Sequence, residues 1–104
     1  MSDQELTNTI ASKQVFAEQL QANFVMQHAT GTDTLTLVEV SSVSAEKTEQ
    51  GQNEPFSAVF QSASPVIHEQ GIYQLQQAHL GELQVFLVPI NADENSVQYE
   101  AIFT

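Results

Sequence analysis

The sequence predicts a mainly β protein: a small antiparallel β-barrel or sandwich of about six strands with one short N-terminal helix. Three observations carry that prediction. Apolar residues recur with a period of two through most of the chain, in short runs broken by turns containing Gly, Asn and Asp. Helical spacing is confined to one segment, residues 12–21. The chain has 104 residues, of which 41% are apolar, enough for one core. A sheet of that size has few ways of hiding its edges other than closing on itself.

Residues 1–8 are polar and acidic and read as a flexible tail, leaving 9–104 as a single barrel-like domain. Ser12 is a candidate N-cap, and Phe16 and Leu20 lie four apart with Val15 beside them. Such a segment is too short to be helical alone, so it is expected to lie over an end or a face of the sheet. Residues 23–28 follow as a strand with Phe24 and Met26 on one face. A tight turn centred on Gly31 leads to a strand over 34–43. In it Leu35 and Leu37 share one parity, Val38 and Val40 the other. Either both faces are covered, or a bulge near Leu37–Val38 resets the register.

Residues 46–54 (EKTEQGQNE) read as an exposed loop. Pro55 then opens a strand, a position where no ladder donor is needed, with Phe56, Ala58 and Phe60 inward. After a loop containing Pro65, residues 71–76 form the fourth strand, with Tyr73 and Leu75 inward. His79, Leu80 and Gly81 connect it to a fifth strand over 82–90, and the turn 91–96 leads to a last strand. There Val97, Tyr99, Ala101 and Phe103 share one face. The expected structural core is Phe16, Leu20, Phe56, Phe60, Tyr73, Leu75, Tyr99 and Phe103.

The fifth strand is apolar on both parities: Leu83, Val85 and Leu87 against Phe86, Val88 and Ile90. A strand of this kind must be covered twice. The preferred cover is the N-terminal helix, through Phe16 and Leu20. The competing reading is an exposed patch that serves as an interface, with Phe86, Val88, Ile90 and Glu100 as candidate interface residues.

The chain carries 2 Lys+Arg against 13 Asp+Glu, a formal net charge of −11. It repels phosphate, so neither nucleic acid nor a membrane is expected as a partner. The N-terminus has no basic n-region and no apolar h-region, and no apolar run approaches the roughly 20 residues of a spanning helix. A soluble cytoplasmic protein is expected. With no Cys there is no disulfide and no thiolate metal site.

His28, His68 and His79 show no i,i+4 or HxH pairing and read as exposed loop histidines. No metal and no cofactor is expected. Asn91, Asp93 and Asn95 alternate, but the Gly and bidentate Glu of a calcium loop are missing, and Asx side chains in turns bond their own backbone. Glu39 and Glu100 are the carboxylates inside apolar strand runs, and both read as a solvated face. Ser57 and Ser64 belong to no nucleophile elbow. No catalytic residue set emerges, and the chain is expected not to be an enzyme.

The second half carries a pattern: Pro55-Phe56-Ser57-x-x-Phe60, Gln70-Gly71-x-Tyr73-x-Leu75, His79-Leu80-Gly81, Phe86-Leu87-Val88-Pro89-Ile90 and Tyr99-Glu100-Ala101-x-Phe103. With Leu37 to Val40 and the N-terminal helix, it resembles a family of small uncharacterised bacterial all-β domains over roughly residues 12–104. The polar loop 46–54 departs from the family pattern. The motifs are structural, so the resemblance implies a fold and no activity. It further implies genes beside those of tail-collar-like proteins of phage-derived assemblies.

The expected function is therefore a non-enzymatic structural or protein-interaction module, binding a protein partner or itself. An accessory of a phage-tail-like or surface assembly is its most specific form. The alternative is a small-ligand-binding barrel, working at a mouth or groove because aromatic side chains would fill a six-stranded interior. The least favoured reading is a metal-dependent hydrolase in which histidines converge on Glu69 or Glu82.

Overall fold

The computed structural model of the chain describes residues 13–42 and 55–103. The expected tail 1–8, the Ser12 cap and the loop 46–54 lie outside the described residues. A short helix, α1 (Lys13–Ala17), precedes six strands: β1 (Asn23–His28), β2 (Gly31–Ser42), β3 (Phe56–Ser62), β4 (Gly71–Gln77), β5 (Gly81–Ala92) and β6 (Val97–Phe103). They close into an antiparallel barrel in the order β1-β2-β3-β6-β5-β4, with β1 pairing β4 to complete the ring.

Alternation explains which side chains fill the barrel. Phe24 and Met26 from β1, Leu35 and Leu37 from β2, Phe56, Ala58 and Phe60 from β3, Leu75 from β4, Val85 and Leu87 from β5, and Val97, Tyr99 and Ala101 from β6 are all buried. Tyr73 and Phe103 are half-buried and pack against this cluster. Closure removes the sheet edges that a six-stranded open sheet would expose.

Two bulges reset the register. The β2–β3 pairing shifts between Leu37 and Glu39, which leaves Val38 as the extra residue and turns Val40 toward the core. Leu35, Leu37 and Val40 are thus one inward face read across a bulge at Val38. The second shift, between Pro89 and Asn91 in the β5–β6 pairing, makes Ile90 the extra residue. Pro89 lacks a ladder donor and sits beside the irregularity, where a sheet tolerates it. The β1–β2 turn is tighter than expected. His28 pairs with Gly31, so Ala29 and Thr30 alone span it, and Gly31 takes φ +154°, an angle open to glycine.

The helix differs from its expected form. It ends at Ala17, and the chain continues in tight turns, with Gln19 N–H donating to Phe16 O and Leu20 N–H to Ala17 O. Gln21 then adopts φ +72° and donates its N–H to Leu37 O. Phe16 and Leu20 therefore do not share a helix face. Phe16 is fully buried inside one barrel mouth, against the rings of Phe24, Phe56 and Phe103 with centroids 6.2, 5.6 and 4.9 Å away. Leu20 is 43% exposed and leaves the core list. The helix plugs the barrel end and does not cover the second parity of β5.

Gln77 closes the neighbouring turn. Its Oε1 accepts the N–H groups of His79 and Leu80, and its Nε2 donates to Gln19 Oε1, all at 2.7 Å. The chain reverses at Gly81, whose φ is +77°, while Gly71 needs no such angle. A Cβ at Gly81 meets nothing within 4 Å, so only backbone conformation opposes a side chain there. Gly81→Ala is expected to cost about 1–2 kcal/mol, read as a Tm lowered by roughly 4–8 °C per kcal/mol in a thermal melt.

Candidate functional site: a polar barrel mouth and an apolar outer wall

The mouth opposite α1 is built from the β1–β2 turn, the loop 63–70 and the β5–β6 turn. Inward alternation continues past the apolar core into polar residues here. His28 follows Phe24 and Met26 on β1, and Asp33 precedes Leu35 and Leu37 on β2. His68 arrives from the loop 63–70. His68 Nε2 lies 2.9 Å from Asp33 Oδ2, and His28 Nε2 lies 3.7 Å from Asp33 Oδ1. The side chains of His28, Asp33 and His68 are 11%, 18% and 17% exposed. The two imidazoles lie against each other, centroids 4.2 Å apart.

Two tyrosines hold the loop in place. Tyr99 Oη accepts the His68 N–H at 3.0 Å and donates to Val66 O at 3.4 Å. Tyr73 Oη donates to Glu69 O at 2.5 Å. Burial holds the Tyr99 phenol above its ordinary pKa, with the His68 N–H acting in the opposite sense. It stays a neutral O–H and serves both bonds at once.

The histidines are thus not all exposed loop residues. His28 and His68 converge, and on Asp33 rather than on Glu69 or Glu82; His79 alone is exposed. Glu82 instead accepts a hydrogen bond from Gln76 Nε2. The last turn behaves as an Asx turn. Asp93 Oδ1 accepts N–H groups from Asn95 and Ser96 at 2.8 and 2.9 Å, which holds its carboxyl below the usual range.

The barrel interior is occupied by side chains: Phe16, Phe24, Phe60 and Tyr99 are fully buried. Surface hollows of about 340 to 510 Å³ are lined largely by outward residues such as Gln61, Asn91 and Gln98, or Thr34, Thr36 and Val38. The filled interior is what the ligand-binding alternative assumed, since it places a ligand at a mouth or groove and not inside the barrel.

The outer wall carries the second feature. Of the candidate interface residues, Phe86 is 51% and Ile90 42% exposed, while Val88 and Glu100 are half-buried. Ile72 on β4 pairs directly with Phe86 on β5. The last β5–β6 pair toward this end is Val88–Glu100, and its register carried two residues on sets Ile102 of β6 level with Phe86. Ile72 and Ile102 are 71% and 54% exposed. Ile72 and Phe86 are thus a directly paired, exposed apolar couple, and the continued register adds Ile102 to the same outward row across β4, β5 and β6. Glu100, between Val59 and Val88, borders the row and accepts a hydrogen bond from Ser57 Oγ at 3.2 Å. Ile72 and Ile102 were missed in the sequence because each was read only as the outward residue of its own strand.

Among the described residues no helix is long and apolar enough to cross a membrane. No curated protein and no solved structure matches the chain. The model of a family described as a domain of unknown function (DUF6916) matches residues 11–103, which take in both the helix and all six strands. The chain belongs to this DUF6916 family of domains of unknown function.

Proposed function

We propose that this domain is a non-enzymatic interaction module that docks a protein partner on the outer wall of β4, β5 and β6. One observation carries the reading: the exposed row Ile72, Phe86 and Ile102 on the outside of a closed barrel. Burying such a row stabilises a complex in proportion to the apolar area removed from water. A net charge of −11 makes two copies repel, so the fitting partner is a different protein with an apolar face and a rim of Lys and Arg facing Glu100. A subunit of a phage-tail-like or surface assembly suits this description, in the gene setting that the resemblance implies. The compartment of the proposal is the cytosol, with which a chain of no Cys is consistent.

Light scattering coupled to size exclusion tests the reading together with two variants. The wild type is expected to be a monomer at every concentration. A partner held by the immobilised wild type is expected to be lost from Phe86→Glu and retained by Ile67→Glu, which alters an exposed apolar residue elsewhere, 58% exposed. A concentration-dependent dimer abolished by Phe86→Glu would give the same wall to a second copy. Binding that is indifferent to Phe86→Glu would overturn the reading.

A further inference from the structure

The polar mouth carries an inference independent of the outer wall. We infer that His28, Asp33 and His68 form a binding site for a divalent transition ion of the zinc class. One ligand atom from each lies within 4.8 Å of the other two. Two imidazoles and a carboxylate are a donor set suited to such an ion, whereas calcium and magnesium prefer oxygen alone. Ions of this class sit about 2.0–2.2 Å from nitrogen and carboxylate oxygen, so sub-ångström to ångström shifts of the rings gather the three donors around one centre.

The unpartnered Nε2 of His28 points the same way. Thr30 N–H donates to His28 Nδ1 at 3.4 Å, and Thr30 Oγ1 lies 3.2 Å from the same nitrogen. The other ring nitrogen, Nε2, is buried and has no hydrogen-bond partner among the described residues; its nearest carboxylate oxygen is 3.7 Å away. A buried polar atom without a partner is costly and calls for an explanation. An ion at Nε2 supplies one. Binding there moves the ring proton to Nδ1, so the bond accepted from Thr30 N–H is exchanged for one donated to Thr30 Oγ1, the outer-shell support typical of a metal-bound histidine.

His68 supplies the second link. It comes from the loop 63–70, while His28 and Asp33 flank the β1–β2 turn, so an ion held by all three ties the loop to the barrel wall. Tyr99 and Tyr73 already place this loop through its backbone. The third donor is therefore nearly in position before any ion arrives, which lowers the ordering cost of binding. Three protein donors leave a further coordination position for water or a partner's side chain.

Isothermal titration of the metal-free full chain with Zn²⁺, repeated with Co²⁺ and read by its visible d–d absorption, tests the site. The expected result is one ion per chain with a Kd in the micromolar range or tighter, not displaced by excess Mg²⁺ or Ca²⁺. At a free Zn²⁺ about 100 times Kd, Tm is expected to rise by roughly 10–20 °C. His28→Gln, His68→Gln and Asp33→Asn are each expected to weaken binding beyond the roughly 10–100-fold that loss of an outer-shell partner costs. His79→Gln is expected to bind as the wild type does. Circular dichroism of the metal-free variants checks their fold, and Asp33→Asn keeps an acceptor for His68. Weak binding of several ions, or binding equal in wild type and in folded His28→Gln and Asp33→Asn, overturns the site and leaves a hydrogen-bonded latch.

Discussion

Phe16→Ala is expected to destabilise the protein by about 3–5 kcal/mol, a large share of the stability of a domain this size. The reason is geometric. Phe16 is fully buried in one barrel mouth and touches Phe24, Phe56 and Phe103, so one truncation empties the contact of three rings at once. Stacking of Phe56 on Phe103, 4.8 Å apart, loses its cover as well. The helix that presents Phe16 has five residues and no stability of its own, so it is expected to come away with the ring. Urea unfolding measures the effect as a lowered midpoint. Leu20→Ala, at a residue 43% exposed, should change stability by no more than about 0.5 kcal/mol. Equal costs for the two variants would contradict the plug.

The second large effect separates two neighbours. Leu87 is fully buried and Phe86 is 51% exposed. Leu87→Glu places a carboxylate in an apolar interior with no partner, at a cost of several kcal/mol, and is expected to leave the chain unfolded. Phe86→Glu places the same charge in water on the outer wall. It is expected to remain folded, with a Tm within a few degrees of the wild type and the native far-ultraviolet spectrum. Two adjacent substitutions of identical chemistry then give opposite results, and the difference reports the facing of β5 alone. If Phe86→Glu also unfolds, the outer wall is structural core and the docking proposal fails.

Most of the barrel was legible because alternation is a local signal. β1 and β6 have the bounds that period-two spacing predicts, and of the two readings the change of parity at Leu37–Val38 leaves open, two covered faces or a bulge, the structure has the bulge. Leu20 misled because helical spacing assumes a helix that persists. The positive φ at Gln21 and the tight turns before it depend on docking to Leu37, a contact outside any local window.

The polar mouth was half legible. His28 sits two residues beyond Met26 and Asp33 two before Leu35, so extending the inward parity past the apolar residues would have aimed both into the barrel. Nothing in the sequence brings His68 to them, because it arrives from a loop joining β3 to β4. Those strands are not paired to each other; β1 and β2 stand between them on one side of the ring. Strand order was the missing information for the outer row too. Ile72, Phe86 and Ile102 become neighbours only when β4, β5 and β6 are known to lie side by side.

The position of β6 bears on synthesis. Of the six strands it is made last, yet it stands between β3 and β5, paired to β3 from Val97 to Phe103 and to β5 over Val97–Glu100. Until residues 97–103 have left the ribosome, the nascent chain holds at best an open five-stranded sheet with the edges of β3 and β5 unpaired. That interval is the one in which edge-to-edge pairing with other chains competes with folding. The barrel therefore cannot grow strand by strand as it emerges. It is completed in a single late insertion, after translation has passed Phe103.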